Sequence, residues 1–262
     1  MKTDERIETI KQEGYELDFG TVFNDAFENY KKIVVHAALA IILFSVLLGL
    51  ILIAVIFMAI DSNNLTESIA GFQVANFSTQ GIIAYWVGTI LSAGLMSPFT
   101  AGIIKMAQSA AKHEDFSVGT VFQYYQNSYF KPLFLAAVGI ALFSSTLSVA
   151  SEIIGYKILL VLITLLFGFL TFLTIPLIIF GNLKAIDAIK GSILIVSKQP
   201  LILLALLIVS ALFCMIGIIG LCIGIFFTIP FMYSMYYCIY SAIMRDEDSN
   251  AETEEVIVEI EA

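Results

Sequence analysis

The sequence predicts an all-α integral membrane protein, with six transmembrane helices forming three parallel repeats. Each repeat is an interfacial amphipathic helix followed by a helical hairpin, and the even-numbered spans are kinked by proline. Three observations carry this reading. The chain of 262 residues is 59% hydrophobic and only 13% charged, against about 25% charged in soluble domains, and its mean hydropathy is +0.93. Its apolar residues gather into six long runs. The four residues GTVF occur twice, at 20–23 and 119–122, followed at equal spacing by a tyrosine (Tyr30, Tyr129) and a lysine (Lys32, Lys131).

The six runs cover residues 33–60, 81–104, 132–150, 158–180, 201–218 and 221–244. A hydrocarbon core of about 30 Å needs about 20 apolar residues in helical form, and the first run is long enough to tilt or protrude. Residues 1–32 mix acids and bases and run too long before the first apolar run to read as a secretory leader; residues 1–14 are expected to be a cytoplasmic N-terminal segment. The membrane domain spans 15–244, with repeats at about 15–110, 111–180 and 181–244. Residues 245–262 form a tail with eight acids and one arginine, which holds most of the net charge of −9. Such a tail reads as a solvated cytoplasmic terminus, with docking of a protein partner as its second role.

Orientation follows from lysine and arginine. Twelve of the thirteen basic residues lie before span one, between spans two and three, between spans four and five, or after span six. Only Lys157 lies on the other side, and the loop 61–80 there has no basic residue. The positive-inside rule then places both termini in the cytoplasm.

An amphipathic stretch precedes each odd span. Phe19, Val22, Phe23, Ala26, Phe27 and Tyr30 follow helical spacing, as do Val118, Val121, Phe122, Tyr125 and Tyr129, and then Ile186, Ile189, Ile193 and Val196. These predict helices lying flat in the interface. Asp18 is the expected N-cap of the first, and Thr120 with Gln123 the expected capping box of the second. Pro132 and Pro200 open spans three and five. Pro98, Pro176 and Pro230 fall inside spans two, four and six, each with a hydroxyl one or two residues before it: Ser97, Thr174 and Thr228. An internal proline frees the carbonyl four residues back, which a hydroxyl can satisfy. These six residues are the expected lining of a cavity between the repeats. Gly217, Gly220 and Gly224 are expected to let spans five and six approach closely.

This unit resembles a broad group of bacterial membrane families: the YciC-like proteins and the membrane domain fused to some glycerophosphodiester phosphodiesterases. The resemblance covers residues 15–244 and implies the fold and a bacterial cytoplasmic membrane. The phosphodiesterase is absent, so its chemistry does not carry over. Chains of this kind have also been labelled beta-carotene monooxygenases, but non-haem iron chemistry needs a set such as two histidines and a carboxylate. The only histidines here are His36 and His113.

No HExxH, Walker A or GxSxG motif occurs. No ionisable residue lies at the centre of a span, which disfavours a proton-coupled pump. Lys105, Glu152 and Lys157 sit at span ends, the last two as interface anchors or as a pair across the outer turn. Cys214, Cys222 and Cys238 lie in apolar runs and read as core thiols. The aromatics of span six (Phe226, Phe227, Phe231, Tyr233, Tyr236, Tyr237, Tyr240) read as interhelical packing or a lipid path. Asn64 and Asn76 head glycosylation-like tripeptides that carry no weight in a bacterial chain. No catalytic, cofactor or metal residue is expected, nor any nucleic-acid partner; membrane lipids are. Two functions follow: a non-enzymatic accessory or scaffold protein, or a small transporter or lipid-handling protein using a cavity between the repeats.

Overall fold

A computed structural model describes residues 3–59, 79–154, 157–219 and 224–245. They form helices α1 (Thr3–Glu13), α2 (Phe19–Ala59) and α3 (Thr79–Ala111), a 3-10 segment (Val118–Tyr125), and helices α4 (Phe130–Ile154) and α5 (Lys157–Thr171). Four more follow: α6 (Thr174–Ile179), α7 (Ala185–Lys198), α8 (Pro200–Ile219) and α9 (Gly224–Met244). There is no strand among the described residues. Five stretches are long and apolar enough to cross a membrane: Phe19–Ile51, Trp86–Ala111, Phe130–Ser148, Ile158–Ile179 and Pro200–Ile218. This is a helical, multi-pass membrane protein. The sixth expected span is helical as α9, but its tyrosines dilute its apolar character and it stands outside those five. The loop 61–78, Gly220, Cys222 and the tail 246–262 lie outside the described residues, as do the side chains of Glu152 and Lys157.

The two GTVF phrases adopt different structures, and this corrects the expectation of three flat interfacial helices. The first lies in the opening turn of α2, which runs unbroken for 41 residues, about 60 Å at 1.5 Å per residue. The second lies in the 3-10 segment. Only the third unit has a separate amphipathic α-helix, α7. The cause is proline. Thirteen residues after the glycine of the second phrase stands Pro132; thirteen after the first stands Ile33. In a helix running on from the second phrase, Pro132 would lack the bond to the Ser128 carbonyl and clash with it, so the second unit restarts as α4 with Pro132 in its first turn, and the third breaks at Gln199 (φ −133°), the residue before Pro200. Nothing stops α2. Asp18 caps it as expected, its Oδ1 accepting from the Thr21 N–H and hydroxyl, both at 2.7 Å, which holds the carboxyl below its usual range. In the second unit the cap is Ser117, not Thr120 with Gln123: the Ser117 N–H donates to Thr120 Oγ1 at 3.0 Å.

The prolines also divide. Pro98 and Pro230 lie within continuous helices. Pro176 does not kink a span, because span four is already broken at Phe172–Leu173 and Pro176 is the third residue of the short α6. Its missing N–H there falls among the donors that a helix start leaves free. The break is held by Ser192 of α7, whose Oγ donates to Leu170 O at 2.8 Å and accepts from Leu173 N–H at 3.2 Å.

Packing concentrates at the lysine-rich end of the bundle. Helix α9 packs on α2, α3 and α8, and α3, α6 and α9 touch pairwise. Asn29 Nδ2 of α2 donates to Ala107 O of α3 at 2.9 Å, and Ser234 Oγ of α9 donates to Ala26 O of α2 at 2.7 Å. Helix α1 docks on α7. Ile10 is fully buried there, Arg6 Nε donates to Ile243 O at 3.2 Å, and Tyr15 donates its hydroxyl to Ile195 O at 3.0 Å. At Gly102 the 3-10 segment meets α3 so closely that a Cβ would collide with the Val121 backbone. Gly217 and Gly224 likewise allow the expected close approach of α8 and α9.

Candidate functional site

The six residues expected to line a cavity instead fill the core or serve the backbone. Pro98, Pro176 and Pro230 are buried, and so are Ser97 and Thr174. None of the six lines any of the four cavities described. Ser97 Oγ donates at 2.8 Å to Gly94 O, the carbonyl that Pro98 deprives of its partner, and the Tyr125 hydroxyl donates at 2.7 Å to the next one, Leu95 O. Thr228 donates instead to Gly224 O at 3.3 Å, not to the Phe226 carbonyl four residues before Pro230. The Thr174 hydroxyl is buried without a partner. One hydroxyl of the three therefore performs the expected backbone repair.

Where α9 meets α2 and α8, aromatic rings close the space. Phe231 is fully buried, with Phe213 at 4.6 Å, Tyr30 at 5.7 Å and Phe23 at 5.9 Å between ring centroids. Tyr236 packs on Phe172 at 5.3 Å and Tyr240 on Phe180 at 5.3 Å. The span-six aromatics are interhelical packing at these positions; Phe227 is exposed. His36 stacks edge-on to Phe116 at 5.3 Å. His113 sits in a turn at φ 56°, and Lys105 pairs with Glu114 at 3.5 Å. Among the described residues no three histidine, cysteine, aspartate or glutamate side chains converge.

Two cavities open at the lysine-rich end. The larger, about 900 Å³, is a groove between α4 and the start of α7. Lys131, Lys184 and Asp187 supply its charge, and Leu135, Gly139 and Ile189 its apolar lining. Its rim is tied by a hydrogen bond from the Tyr129 hydroxyl to Asn182 Oδ1. Asn182 itself holds a left-handed turn, φ 54°, that redirects the chain into α7. The second cavity, about 460 Å³, is a cleft between α2, α3 and α9. It is lined by Asp25, Glu28, Lys32, Lys112 and Arg245 over the buried Asn29.

In the sequence Lys184 counts only among the basic residues that set orientation, and Asn182 carries no signal of its own. Tyr129 and Lys131 belong to the repeated phrase. What brings them to α7 is tertiary packing, for which the chain has no local signal. Comparison with protein-family models, with curated proteins and with solved structures finds no match for this chain.

Proposed function

We propose that this chain is a non-enzymatic accessory or scaffold protein of the bacterial cytoplasmic membrane, with both termini in the cytoplasm. The observation that carries the reading is the closed aromatic junction around Phe231, cross-linked by Ser234 to Ala26 and by Asn29 to Ala107. Interiors packed in this way have discrete arrangements and do not deform continuously, which suits a fixed platform better than a carrier cycling between states. The gathering of lysine-bearing segments at one end of the bundle supports the orientation. The pairwise meeting of α3, α6 and α9 supports three parallel units and six spans, the architecture of the YciC-like proteins and of the phosphodiesterase-linked membrane domain that the sequence resembles. The test is affinity capture of the full-length protein from native membranes in mild detergent, beside a chain ending at Arg245. A partner present in fixed ratio and lost with the acidic tail is the expected result. A full-length protein that emerges without any stoichiometric partner defeats the reading.

A second reading, lipid handling, is favoured by the groove between α4 and α7 and not by a cavity between the repeats.

A further inference from the structure

We infer that the groove between α4 and the start of α7 binds one anionic glycerophospholipid, its headgroup phosphate between Lys131 and Lys184 and an acyl chain along Leu135 and Gly139. The inference deepens the second reading and stands apart from the accessory one. The volume, about 900 Å³, suits a small-molecule ligand, for which sites run to about 1,000 Å³. The lining changes character along α4. Lys131 stands at its first turn, and Gly139 lies eight residues on, about 12 Å deeper by helical rise. A ligand that matches must carry a polar end and an apolar chain in the same order.

Charge selects an anion. Two lysines face one carboxylate, Asp187, and neither lysine forms an ion pair among the described residues. The free N–H groups at the start of α7 add partial positive charge on the same side. The groove is open along its flank, where Leu135 and Ile186 are 50% and 66% exposed, so a chain enters sideways from the bilayer. Gly139 leaves the acyl seat empty, since a Cβ there would meet nothing within 4 Å. The Tyr129–Asn182 hydrogen bond holds the rim before any ligand arrives, which spares ordering cost on binding. Inorganic phosphate would satisfy the lysines and leave the apolar wall unmatched.

The test uses the full-length protein in phosphatidylcholine nanodiscs containing a minor fraction of phosphatidylglycerol, with retained lipids counted by native mass spectrometry. Phosphatidylglycerol is expected to be enriched over its share of the bilayer. Lys131→Gln with Lys184→Gln is expected to lower that enrichment about thirtyfold. Gly139→Leu is expected to lower retention of both lipids by filling the acyl seat. Lys112→Gln with Lys190→Gln makes the same charge change outside the groove and is expected to leave enrichment unchanged. Thermal melting of every variant establishes folding, and the exposed lysines are not needed for it. Equal retention of the two lipids overturns the inference, as does undiminished enrichment in the Lys131/Lys184 variant or equal loss in the Lys112/Lys190 control. Displacement by inorganic phosphate alone overturns the lipid as the source of the anion. None of these outcomes touches the tail-dependent partner on which the accessory reading is judged.

Discussion

The lysine-rich half of the bundle and the opposite half are built from similar apolar residues, and they use them differently. In the first, Ile33, Ile103, Leu177, Ile195 and Phe231 are fully buried. Polar side chains there reach across elements: Asn29 to Ala107, Ser234 to Ala26, Ser192 to Leu170. In the second, Leu50, Leu165 and Ile216 are more than 60% exposed. Thr146 and Thr164 there turn back on their own helix, to Leu142 O and Leu160 O, and Thr228 divides its hydroxyl between its own helix and Cys214 O of α8 at 3.4 Å. The difference teaches that hydropathy decides what enters a bilayer, while the arrangement of helices is decided by close backbone approach and by hydrogen bonds between elements. Lipid is as apolar as leucine, so apolarity alone does not hold helices together.

The comparison breaks most sharply at glycine. Gly102→Ala is expected to cost about 3 kcal/mol, because the added methyl meets the Val121 backbone and not a movable side chain. Gly49→Ala, on the opposite half with open space around it, is expected to be neutral or to stabilise by about 0.5 kcal/mol. Reversible unfolding of both variants in the same detergent checks the contrast; similar values for the two would erase the distinction between the halves.

A smaller contrast comes from hydroxyls. Ser192→Ala removes the one group that bridges the α5–α6 break and leaves the Leu173 N–H without its partner, an expected cost of about 1–2 kcal/mol. Thr164→Ala removes a bond within one helix and is expected to stay within about 0.5 kcal/mol. Hydrogen exchange at Leu173, faster in the first variant and unchanged in the second, locates the effect.

The mildest lever is pH. Burial pushes the Tyr124 phenol up to about 12, with Tyr129 nearby adding to the shift, and burial raises Tyr15 in the same direction. The folded state therefore favours the neutral phenol. Stability is fully present below the unfolded value of about 10 and is lost as pH rises through the folded value. Melting temperature is expected to fall between about pH 10 and 12, with Tyr124→Phe flattening the slope. A slope unaltered by that substitution would assign the loss elsewhere.

Helicity and apolar runs were legible because they depend on composition and local spacing alone. The continuity of α2 was legible too, in Ile33 standing where Pro132 stands in the second unit, but the shared GTVF phrase masked it. Equal words do not make equal structure when the residue that stops the helix differs. The break at Phe172–Leu173 had no local mark, since it depends on Ser192, nineteen residues beyond Leu173. The prolines point to a cavity because three matching kinks in a parallel repeat would surround its axis; here Pro98, Pro176 and Pro230 are buried. The groove was hidden for the opposite reason. Lys131 and Lys184 belong to different units, and it is the packing of α4 on α7, with the hydrogen bond from Tyr129 to Asn182, that joins those units at one rim.

The docking of α1 has a consequence for the birth of the protein. Arg6 and its acceptor Ile243 are separated by 237 positions, so a ribosome adding about 5–20 residues per second needs tens of seconds between making one and the other. Until α7 has been made, the apolar face of α1, with Ile7 and Ile10, has no seat, because that face packs on α7. It settles once α7 has been delivered and is tied by Arg6 only when α9 follows, so a contact surface made early in the chain closes late. Until α7 is in place, α1 therefore shows that face to any protease or chaperone on its side of the membrane.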